Sequence, residues 1–131
     1  MQARVITLLA VVLLAGCSSA GDREDAATGA AVRLFTAVGA QDGAGACAVL
    51  APDTVAELEQ SADKPCAEAI LEEDLPGPGR VDGVDVYGQW AQVRTAGDTV
   101  FLAVFPDGWR VVAAGCTPRA ERPYDCLIKG S

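Results

Sequence analysis

The chain has no histidine among its 131 residues. That absence removes the usual general base near neutral pH and the commonest metal ligand together, so a histidine-dependent hydrolase or zinc centre is excluded. Basic residues are outnumbered, 10 Lys and Arg against 18 Asp and Glu, and the formal charge of −8 disfavours nonspecific binding to nucleic acid and attraction to anionic lipid headgroups. Aromatics make up only 5%, which leaves few large side chains to build a core or a pocket. No apolar run reaches the roughly 18 residues of a membrane span. The chain lacks a CxxC pair, a P-loop lysine and a dinucleotide fingerprint, so "GAGA" at 43–46 and "GPGR" at 77–80 read as structure breakers. No cofactor is implied. Half the residues are nonetheless apolar, which argues for a folded chain rather than a disordered one.

What is present begins at the amino terminus. Arg4 precedes the apolar stretch "VITLLAVVLLAG" from Val5 to Gly16, and Cys17 follows directly, then the polar "SSAGDRED". This is the layout of a secretory signal peptide. Leu14, Ala15, Gly16 and Cys17 resemble the lipobox of bacterial lipoproteins. The resemblance implies that residues 1–16 are removed and that Cys17 is acylated as the first residue of the mature chain. Acyl chains contribute about 0.8 kcal/mol per buried methylene, which would place the protein at the outer face of the cytoplasmic membrane. Loss of Arg4 with the leader takes the charge from −8 to −9, so the lipid and not a basic patch must hold it there. Residues 17–26 read as a lipidated flexible tether, and 27–131 as a single domain.

Four cysteines remain, Cys47, Cys66, Cys116 and Cys126. Export makes disulfides their default state, with three pairings open. The sequential pairs Cys47 with Cys66 and Cys116 with Cys126 are favoured because each joins neighbouring pieces of secondary structure. Each closed loop contributes about 3 kcal/mol in the chain-entropy model. Without a CxxC pair a four-thiolate metal site is disfavoured, and no metal is expected. The same spacing argues against thiol exchange as a function.

The first half of the domain is helical in pattern. Ala31, Leu34, Phe35 and Val38 fall at i, i+3, i+4 and i+7, predicting a helix over 25–38 capped by Asp25 or Thr28 and ended by "GAQDGAG". "ACAVL" to Leu50 reads as a short second helix. Thr54 and Glu57 have capping-box spacing for a third over 55–60, and Pro65 opens a fourth through "CAEAILEEDL". The acidic run Glu72, Glu73 and Asp74 reads as a solvated helix end.

After "PGPGR" the pattern changes to strands. Val84 and Val86 share one face, Trp90 and Gln92 oppose Ala91 and Val93, and Gly88 marks a bulge or bend between two pieces. "AGD" at 96–98 predicts a turn, and "TVFLAVF" a strand buried on nearly both faces. "PDG" at 106–108 predicts a hairpin, with Trp109, Val111 and Ala113 on one side of the returning strand and Arg110, Val112 and Ala114 on the other. "GCTPRAERPYDC" contains two prolines and is expected to leave the sheet as a loop closed by Cys116 and Cys126.

Short helices followed by an antiparallel sheet predict an α+β domain. "WAQV" leading into "FLAVF", "PDG" and "WRVVAAGC" resembles, over roughly Ala27 to Cys116, the small lipoproteins of actinobacteria with an NTF2-like, or cystatin-like, fold. That resemblance implies helices packed on a curved sheet that forms a cone. Members of the superfamily range from isomerases and dehydratases to noncatalytic binding domains. The isomerases imply a conical pocket with an aspartate base and a tyrosine opposite. Here Asp82, Asp85 and Tyr87 are available but match no catalytic motif. Asp85 as base and Tyr87 as donor, two apart on one strand face, form the enzymatic alternative, a carboxylate-based isomerase or lyase. Exposed strand polarity accounts for the same two residues more simply. The favoured expectation is a noncatalytic extracytoplasmic lipoprotein that binds a small apolar ligand or a protein partner, with Trp90, Phe101, Phe105 and Trp109 either lining a pocket or packing as core.

Overall fold

A computed structural model describes residues 20–77 and 79–131. The expected signal peptide over 1–16 and the expected lipidation site Cys17 lie outside the described residues. Four helices precede five strands: α1 (Ala20–Gly39), α2 (Gly43–Ala48), α3 (Pro52–Ala62), α4 (Cys66–Glu72), then β1 (Val81–Tyr87), β2 (Trp90–Thr95), β3 (Thr99–Phe105), β4 (Gly108–Arg119) and β5 (Arg122–Lys129). The strands form one antiparallel sheet in the order of the chain, β1-β2-β3-β4-β5.

The expected cone is corrected by this topology. The sheet is an open meander, neither closed nor strongly curled. The physical reason lies in what covers it. α1 runs mainly across β1 and β4, and its buried residues include Ala27, Ala30 and Ala31 beside Leu34 and Phe35. Methyl side chains let a helix approach a sheet closely, so there is no hollow for curvature to enclose. The interface is filled instead by Leu34, Leu50, Ile70, Val93, Val100, Leu102 and Val111, all fully buried.

Several elements differ from expectation for local reasons. α1 starts at Ala20, not Asp25, so most of the segment read as a tether is the first two turns of the helix. The capping box of Thr54 and Glu57 does not form. Pro52 occupies the first helical turn, which places Thr54 inside α3, where its buried hydroxyl donates to the Val112 carbonyl at 2.8 Å. α2 stops at Ala48, and Val49 to Ala51 run beside β4: Ala51 N–H donates to Val111 O and Val111 N–H to Val49 O, both at 2.8 Å. That short parallel contact occupies the edge of β4 beyond the reach of β5.

A register shift opposite Phe101 and Leu102 inserts Val112 as an extra residue. The alternation of Trp109, Val111 and Ala113 therefore breaks, and the core takes Val111 and then Ala114. The two prolines do not expel their segment from the sheet. Pro118 lies within β4 and Pro123 within β5, near a register irregularity and on an edge strand, the positions where a missing N–H is tolerated. "GCTPRAERPYDC" is thus a hairpin, with Cys116 directly opposite Cys126.

Both sequential disulfides are formed, Cys47–Cys66 and Cys116–Cys126. The first joins α2 to α4, helices of six and seven residues that are too short to persist alone.

Candidate functional site

β1 carries Asp85 and Tyr87 on the face turned away from the helices, while Val84 and Val86 pack toward the core. Tyr87 is 52% exposed. Asp85 is exposed and ion-paired with Arg94 of β2, and the paired carboxylate holds the guanidinium pKa up. Asp82 is likewise exposed and receives Arg80 Nε at 3.0 Å. None of the three lines either of the two clefts described below. An acid-base pair needs a water-excluded site holding a reacting atom between its members, and this face of the sheet supplies no enclosure.

The four aromatics singled out from the sequence separate in space. Trp90 stands opposite Tyr87 across the β1–β2 hairpin and is 51% exposed. Phe101 is half-buried, in edge-to-face contact with Tyr124 at 5.0 Å between centroids, and Gln92 donates to the Tyr124 hydroxyl at 3.3 Å. Phe105 closes the β3–β4 hairpin opposite Gly108 and is half-buried. Trp109 is half-buried and packs against the core cluster.

The same geometry gathers Tyr87, Trp90, Phe105 and Trp109 at one end of the sheet. The β1–β2 and β3–β4 turns meet there, joined by the Val104 N–H donating to Gln89 O at 2.9 Å. The first turns of α1 reach this end. Arg23 Nη2 donates to Gly88 O at 2.5 Å, and its guanidinium lies 5.5 Å from the Trp109 ring centroid, a cation–π distance. Gly88 takes φ +60° in the turn, a conformation that costs a residue with a Cβ.

A second place, missed in the sequence, lies at the opposite end. A cleft of about 210 Å³ is lined by Pro76, Asp98, Thr117, Asp125 and Cys126 among others. The Asp98 side chain is buried at the β2–β3 turn. One oxygen accepts from the N–H groups of Thr99 and Cys116, both at 2.7 Å, and the other from Gly115 N–H at 2.9 Å. Burial pushes its carboxyl above the ordinary range, against the pull of those three donors. With both oxygens engaged by backbone, Asp98 acts as a clamp between β3 and β4 and is not directed at a ligand. Its local signal was the turn tripeptide at 96–98, in which an Asp next to a strand bonds the following N–H. Nothing local announces partners 17 and 18 residues away. A cleft of about 200 Å³ between α3 and β5 is lined by Glu57, Ser61, Leu127 and Lys129 among others.

Among the described residues no group of three His, Cys, Asp or Glu side chains is placed to hold a metal ion, and no helix is long and apolar enough to cross a membrane. Comparison with protein-family models, with curated proteins and with solved structures finds no match to the chain.

Proposed function

We propose that this chain is a noncatalytic lipoprotein, anchored through Cys17 to the outer face of the cytoplasmic membrane, whose domain recognises an extracytoplasmic protein partner through its surface. The observation that carries the anchor is the run of Leu14, Ala15, Gly16 and Cys17 directly after nine mostly apolar residues behind Arg4. The two disulfides fit an oxidising compartment. Recognition is assigned to the surface because the space between helices and sheet is filled by buried aliphatic side chains, which leaves a small apolar ligand no interior room. A noncatalytic role is favoured because Asp85 is paired with Arg94 on an open face and the buried Asp98 is saturated by backbone donors.

The test is expression of the full chain and of Cys17→Ser in a bacterial host that processes lipoproteins. The expected result is an acylated mature chain, read by mass spectrometry of its amino-terminal peptide, in the membrane fraction. Cys17→Ser should lose the acyl mass and leave that fraction. A wild-type chain that is cleaved elsewhere, or released without acylation, overturns the reading.

A further inference from the structure

Cys17 precedes the first residue of α1 by only three positions. Three residues of chain span at most about 10 Å, so an acyl anchor on Cys17 keeps the amino-terminal end of α1 within that distance of the bilayer surface. Whatever else sits at this end of the domain is held there too. The fold fixes what that is, because Arg23 ties the first turns of α1 to Gly88 and to Trp109. The β1–β2 and β3–β4 turns lie at the same end, and with them Tyr87, Trp90 and Val104, three of the five large apolar side chains exposed among the described residues.

We infer that this end of the sheet, led by Trp90 and Tyr87, is a membrane-docking surface that rests in the headgroup region of the bilayer carrying the anchor. The inference depends on the lipoprotein reading above. Indole and phenol rings suit that depth, with an apolar body and one polar tip. The charges nearby do not supply an electrostatic attraction. Arg23 is engaged by Gly88 and Trp109 and Arg110 is paired with Asp107, while the first turns of α1 carry Asp22, Glu24 and Asp25. The contact is therefore aromatic, adds to the acyl chains as a second weak attachment, and sets the orientation of the domain. It leaves the opposite end, with the Asp98 cleft and the β4–β5 hairpin, directed away from the lipid.

The experiment uses the full acylated chain reconstituted in phosphatidylcholine vesicles, with and without phosphatidylglycerol, whose acyl chains carry bromine as a quencher. Tryptophan emission of the wild type should be quenched. Trp90→Phe, which retains the half-buried Trp109, should lose most of that quenching, and added phosphatidylglycerol should not increase it. Trp90 is half exposed, so its replacement spares the core. Tyr87→Ser gives an independent reading, a reduced quenching of Trp90 with both disulfides intact. Equal quenching in wild type and Trp90→Phe overturns the inference. So does an unquenched wild type whose Trp90 remains open to aqueous iodide, or is shielded by a second copy or another protein. The mass of the amino-terminal peptide separates the two readings. An acylated chain without lipid quenching sinks the docking surface alone, whereas an unacylated chain removes both.

Discussion

The Asp98 carboxylate gathers the N–H groups of Thr99, Gly115 and Cys116, and Gly115 is held at φ +65° where an added Cβ would meet Leu127 at 2.8 Å. Asp98→Ala leaves buried donors without a partner and is expected to cost on the order of 3 kcal/mol, read from urea unfolding. The pH dependence has a definite sign. A carboxyl whose pKa is raised by folding holds its proton more tightly folded than unfolded. Its contribution is fully present below the unfolded value of about 4 and is lost as the pH rises through the folded one. Relative to Asp98→Asn, the wild type should therefore lose stability as the pH climbs from about 4, and a flat difference in urea midpoints contradicts the assignment. This residue was legible only as part of a turn, because its partners are set by the register of β3 on β4. The four cysteines were legible with their pairing, because each pair closes a local piece of chain. Asp85 and Tyr87 were legible as neighbours on a strand face. Which face looked outward depended on where α1 lay.

At the scale of elements, α2 and α4 meet closely, and a Cβ on Gly43 would stand 1.9 Å from the carbonyl oxygen of Ala67. Backbone cannot yield that distance, so Gly43→Ala must push the two helices apart. A cost of about 1–3 kcal/mol is expected, with faster hydrogen exchange in α2 and α4 and unchanged exchange in β2 and β3. Uniformly faster exchange would mean that the helices and sheet unfold as one unit. The existence and order of the elements followed from periodicity and turn chemistry: the i, i+3, i+4, i+7 face of α1, the proline that opens α3, the Pro-Asp-Gly turn before β4. Their limits did not. Helix α1 extends back to Ala20 because Arg23 finds Gly88 and Trp109, a tertiary reward that no pattern within the helix signals. Residues 49–51 leave helix for a β-bridge because β4 has an unoccupied edge there. Pro118 and Pro123 remain in strands because the hairpin ends in an irregular, edge-lying stretch.

For the whole molecule, helices followed by a hairpin series identified the α+β class, while the shape of the sheet was misjudged. Alternating side chains specify which residues face the helices, but curvature depends on bulges and on the bulk of the covering layer. The informative residues were Ala27, Ala30 and Ala31, whose small size lets α1 settle directly on an open meander. The disulfide map bears on a different stage in the life of the protein. After Cys17, each bridge joins a cysteine to the next one along the chain, 19 and 10 residues apart. A polypeptide delivered across a membrane amino-terminus first offers Cys66 only one earlier free thiol of its domain, and Cys126 only one more once that pair has closed. Under the export proposed above, order of arrival alone writes the native connectivity, and a disulfide isomerase has nothing to correct. Reoxidation during stepwise emergence, mimicked by threading the reduced chain through a translocon into oxidising vesicles, should give native pairs at the speed of simple oxidation. Accumulation of a crossed Cys66–Cys116 species would show that the route is not set by arrival.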